Sequence, residues 1–178
     1  MNVNIIQYLV RPLESFELKI AVETVPQGIF AALTDPKYVV KWDTASWVLN
    51  DMCPGGRLRK RDEEGFLSEG EIVMFSRPAR YAYLWPVPVD MEDPDEETFL
   101  ARFEFVIEGH GLKSLLIFTG TGFPTVELAE REKNTWGGYF LEKIKKVAES
   151  IPAADLEEIA AMDTKQGHVR KTERATQL

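Results

Sequence analysis

The chain is poor in the residues on which much enzyme chemistry depends. Its 178 residues include one cysteine, Cys53, and two histidines, His110 and His168. A single cysteine excludes an internal disulfide and fits a reducing compartment. Ser/His/Asp catalysis needs a histidine base, but His110 lies in the hairpin turn "EGHGLK" and His168 in a basic C-terminal stretch. G-x-S-x-G is absent, as are both common Gly-rich phosphate loops and any Cys/His spacing that suits a metal. Cys53 has no base near it in sequence and reads as a buried or half-buried thiol rather than a nucleophile. No cofactor and no metal are expected. No segment approaches the roughly 18 apolar residues of a membrane span. The opening "MNVNIIQYLV" lacks the basic region of a secretory signal, so the expected location is the cytoplasm.

Positive charge is also scarce. The net charge is −8. The last fifteen residues carry Lys165, Arg170, Lys171 and Arg174 against Glu173, about +3, which leaves about −11 for the body. An acidic body repels phosphate backbones, so nucleic acid is not an expected partner. The tail has no apolar periodicity and reads as a solvated, disordered end.

What is present is a set of alternating segments. In "SFELKIAVET" (15–24), Phe16, Leu18, Ile20 and Val22 share one face, the period-two pattern of a half-buried strand. "VPQGIFAALTDP" (25–36) predicts a short helix opened by Pro26 and ended by Pro36, and "KYVVKW" (37–42) a second. Strands follow at 46–50, after the Pro-Gly-Gly turn at 54–56, and at 66–76, 80–87, 98–109 and 112–123, with an acidic loop at 89–97. In the strand 66–76, Glu69 and Glu71 share a face about 7 Å apart. Such a pair can do acid–base work, but they read as solvent-facing, with Ile72 and Met74 inward. Residues 125–150 form the long helix, with the stripe Trp136, Phe140, Ile144 and Val147 at helical spacing. A short helix is expected over 151–163. The short connections make the strands antiparallel, and the helix must bury its stripe on the sheet. The expected fold is α+β: a curved antiparallel sheet of about six to seven strands around one long C-terminal helix, with two short helices after the first strand. The expected organisation is an N-terminal extension (1–13), one domain (14–150), then a short helix and tail (151–178).

Five motifs in this order resemble the helix-grip fold of the START-like, birch-pollen-allergen-like (SRPBCC) superfamily. They are "VPQGIFAALTDPKYVVKW", "CPGGRLR", "RYAYLW" after the proline-bearing turn "SRPAR", "FTGTGF" and "TWGGYFLEKIKKVAE". The chain is most similar to the group named after the heat-shock chaperone ATPase activator homologues, over residues 14–149. It departs from the group at Thr135, where glycine is frequent, and at Gly120, where histidine is common. The resemblance implies a cavity between the long helix and the concave sheet. Within that fold, Gly137 and Gly138 let the helix approach the sheet or a ligand closely, or simply allow tight helix–sheet packing.

Trp42, Trp47, Tyr83, Trp85, Phe103, Phe105, Trp136 and Phe140 come from separate elements that the fold gathers, and are the expected pocket lining. The alternative is a solid aromatic core. The leading functional expectation is a binding module for a small apolar or aromatic ligand, since members of the superfamily bind lipids, hormones and polyketides. A cyclase- or aromatase-like enzyme would need inward polar groups, for which Arg57, Arg59, Asp43 and Tyr83 are the candidates. A chaperone-associated regulator would instead act through its surface. Either a monomer or a homodimer is compatible with the sequence.

Overall fold

The structure, a computed structural model, describes residues 13–91 and 97–161. Seven strands form one antiparallel sheet: β1 (Glu14–Val22), β2 (Trp47–Asn50), β3 (Arg57–Arg61), β4 (Leu67–Ser76), β5 (Arg80–Pro88), β6 (Thr98–His110) and β7 (Lys113–Phe123). Their order is β1-β7-β6-β5-β4-β3-β2, so β2 to β7 form a meander and β1 closes onto β7. Helices α1 (Pro26–Thr34) and α2 (Pro36–Val39) separate β1 from β2. Each starts with a proline, whose missing N–H costs nothing in a first turn. Asp35 leaves the helical region before Pro36 and caps α2, its carboxylate accepting from the Lys37 N–H at 2.9 Å. From Gly28 to Thr34 every residue of α1 is buried, packed against β6 and the C-terminal helix.

That helix runs from Val126 to Glu149 and contains a change of pitch. Thr125 caps α3 (Val126–Thr135), a single π turn follows over Trp136–Phe140, and α4 (Leu141–Glu149) completes it. In the π turn the Leu141 N–H bonds the Trp136 carbonyl, five residues back. Trp136 and Leu141 are both buried as a result. The expected close approach at the glycine pair is not found. A Cβ on Gly138 would meet nothing within 4 Å, and one on Gly137 only Leu18 at ordinary contact distance, 3.5 Å. Both glycines sit on the exposed outside of the π turn.

A further helix, α5 (153–161), packs back onto the body. Ile151 is buried, and Leu156 and Ile159 lie against the core. Asp155 accepts hydrogen bonds from Lys37 Nζ at 2.7 Å and Tyr38 Oη at 2.6 Å. The N-terminal extension to residue 12, most of the acidic loop (92–96) and the basic tail lie outside the described residues.

Three details differ from the sequence reading. A bulge in β4 between Ile72 and Met74 shifts the register, so Phe75 rather than Met74 takes the inward place, against Phe30 and Tyr81. Cys53 is exposed, because it stands in the tight turn at 53–56. Arg57 and Arg59 face outward, where both bind the Glu69 carboxylate. Strand parity leaves Leu58 and Lys60 on the inner face of β3 instead.

Candidate functional site

The concave side of the sheet is divided. At one end the aromatic rings pack solidly. Phe105, Phe118, Phe123 and Phe16 form a continuous set of ring contacts, and Trp136 lies on Phe118 with 4.3 Å between centroids. At the other end a cavity of about 460 Å3 opens between β3, β5, β6, the loop after α2, and the helix. That volume lies within the range of small-molecule sites.

Six of the eight aromatic residues expected at a pocket wall line this cavity: Trp42, Tyr83, Trp85, Phe103, Trp136 and Phe140. Two do not. Phe105 is sealed in the solid part of the core, stacked near Tyr81 and Phe118. Trp47 is 40% exposed on the outer face of edge strand β2, its ring against the Arg61 guanidinium. Val48 takes the inward place on β2, and alternation turns its neighbours outward. Core and cavity thus coexist, each claiming part of the aromatic set.

The wall carries charge that the aromatic pattern does not reveal. Lys60 reaches inward from β3 and pairs with Asp43 at 2.5 Å, their side chains 15% and 8% exposed. Three rings surround the ammonium: Trp85 at 4.8 Å, Trp42 at 5.7 Å and Tyr83 at 5.8 Å from Nζ to centroid. Sequence reasoning missed Lys60, although the alternation of "RLRKR" about Leu58 places it inside. Glu132 and Arg131 come from α3. Glu132 sits four residues before Trp136, hence on the same helical face, a signal also available in the sequence. Burial pushes the Glu132 carboxyl above its ordinary range, and the adjacent Arg131 opposes the shift. Arg131 also donates to the Val89 and Pro88 carbonyls at 2.8 and 2.7 Å, tying α3 to the end of β5. Burial drives the Tyr83 phenol well up, with Tyr81, Asp43 and Glu132 adding to the effect, so its hydroxyl keeps its proton. Among the described residues no cluster of His, Cys, Asp and Glu suits a metal ion, and no helix is long and apolar enough to cross a membrane.

A curved antiparallel sheet gripping one long helix, with a cavity between them, defines a START-like protein of the SRPBCC class. The family model described as "Activator of Hsp90 ATPase homolog 1-like protein" matches residues 23–149, and the chain belongs to that family. No curated protein matches it by sequence. Among solved structures it is similar to protein MLL2253 from Mesorhizobium loti, with a TM-score of 0.65 and 15% identity, covering 78% of this chain and 99% of that one. It is also similar to PFC0360w, an HSP90 activator from Plasmodium falciparum, with a TM-score of 0.58 and 21% identity over 75% of this chain and 94% of that one. The Aha1 dimer from Colwellia psychrerythraea matches with a TM-score of 0.58 and 17% identity, over 77% and 97% of the two chains. At these identities the likeness establishes a shared fold.

Proposed function

We propose that the protein binds a small, largely apolar aromatic molecule in the cavity between the sheet and the C-terminal helix. The observation that carries this reading is the aromatic wall itself. Rings from the α2 loop, β5, β6 and the π turn surround about 460 Å3 that they could have filled by packing on one another. A space of that size forfeits dispersion contacts along its lining, and a flat apolar guest restores them. The reading as a cyclase-like enzyme keeps two of its four candidate groups at the cavity, Asp43 and Tyr83, and loses Arg57 and Arg59, which face away from it. The resemblance to an HSP90 activator supports the fold.

Native mass spectrometry of freshly purified protein, compared with its denatured mass, is the first test. An additional few hundred daltons lost on denaturation is the expected result. Where the protein purifies empty, a panel of naphthyl compounds should raise the melting temperature, since ligand at one hundred times its Kd stabilises by about 2.7 kcal/mol. Trp136→Ala, which deletes a ring only 6% exposed, should abolish that response and cost about 3–5 kcal/mol of stability. Absence of both a bound mass and a naphthyl response would overturn the reading.

A further inference from the structure

Two hydrogen-bonding groups in the cavity wall lack a protein partner. Tyr83 is 3% exposed and Trp136 6%. Both line the cavity. Neither the Tyr83 hydroxyl nor the Trp136 indole N–H bonds any described residue, and neither atom is among the polar atoms sealed from all open space. We take the cavity, which both residues line, as the space into which they open. Trp42 gives the contrast: it lines the same cavity, but its indole N–H is satisfied by the Ala32 carbonyl at 2.8 Å. Donors that hold no protein partner and are not sealed off remain available to a ligand oxygen or to water.

The two residues share a neighbour. Phe103 lies between them, 5.8 Å from the Tyr83 ring and 5.4 Å from Trp136 by centroid distance. Lys60 Nζ stands 5.8 Å from the Tyr83 ring. Of its three protons one is committed to Asp43. All three residues can donate and all three line the cavity, so each can offer a proton to an acceptor oxygen of a guest. The charge around them narrows its type. Asp43, Asp62 and Glu132 line the cavity against Lys60 and Arg131, and Arg131 is already engaged by Glu132 and two carbonyls. Lys60 is likewise engaged by Asp43, so neither cation is left over to balance a carboxylate guest, and a neutral oxygen is the better match.

We infer that Lys60, Tyr83 and Trp136 form an oxygen-recognition subsite, and that the ligand is an aromatic molecule bearing a neutral carbonyl. This rests on the cavity being a ligand site. It adds that the site reads a polar group as well as a flat apolar body. Discrimination then comes from the unmet donors, because a hydrocarbon of the same shape leaves them without partners.

The test uses two probes of nearly the same shape, 2-acetylnaphthalene and 2-isopropenylnaphthalene, in which a carbonyl is exchanged for a vinylidene group. Binding is measured by calorimetry and by the indole cross-peaks of 15N-labelled protein, with the Trp136 signal assigned by its loss in Trp136→Phe. The ketone should bind about tenfold more tightly and move the Trp136 indole N–H signal downfield, and Tyr83→Phe should shrink the preference while the remaining indole signals keep their native positions. Equal affinity for the two probes, with both in the cavity, would overturn the subsite and leave the ligand-binding reading standing. Failure of both probes to bind would count against that reading and the subsite together.

Discussion

At the scale of single residues, the Lys60–Asp43 pair has an expected energetic signature as large as that of Trp136. Two charges held almost out of water depend on each other, and removing one strands its partner. Lys60→Met should destabilise the protein by about 3–5 kcal/mol, and Asp43→Leu in the same background should restore much of the loss. Chemical denaturation of the two single variants and the double variant checks this, since independent losses would add where coupled ones do not. The sequence offered the parity that turns Lys60 inward, but its surroundings, "RLRKR", read as an exposed basic strand. Trp47 misled in the opposite sense. Its size suggested a pocket wall, whereas the alternation about Val48 governs where it points. At both positions backbone periodicity outranked the chemical character of the side chain.

At the scale of elements, although the second short helix ends at Val39 rather than at Trp42, most strands and helices were legible to within one or two residues, because alternation and proline signals were strong. Two irregularities were not. The β4 bulge and the π turn each add one residue without changing composition, so no pattern of residue types announces them. Helix α5 was legible as a helix, but its docking depends on partners more than a hundred positions away. The hydrogen bond from Lys37, followed by that from Tyr38, holds the Asp155 carboxyl below its ordinary range. A carboxyl lowered in the fold stabilises it above the ordinary aspartate range of about 4 and loses that contribution as pH falls through the lowered value. Asp155→Asn should therefore lower the melting temperature at neutral pH and narrow the gap between neutral and acidic conditions. Melting curves from pH 7 down to pH 3 read both effects, and a variant as acid-sensitive as the parent would show that other carboxylates control that limb.

At the scale of the whole molecule, the architecture could be read because motif order and connection length jointly restrict it: a six-stranded meander closed by β1 admits few ways to cover one amphipathic helix. The cavity could not be read in the same way. Its volume is a difference between the space the backbone encloses and the space the side chains fill, and composition does not report that difference. The aromatic residues identified the region, and the packing then assigned Phe105 to solid core and Trp85 to open wall. The π turn has a consequence for chain length. It holds one residue more than an α-helical turn needs, with Trp136 and Leu141 five apart and both facing inward. Deleting Gly138 would set them four apart, the ordinary helical spacing, and leave the faces of α3 and α4 in phase. Loss of Lys143 from α4 would instead rotate one part of the helix by about 100° relative to the other and turn Ile144 and Val147 away from the core. Melting temperatures of the two deletion variants should differ widely, with the Gly138 deletion close to the parent. The long helix thus carries one spare residue, placed where the protein can shorten without unpacking.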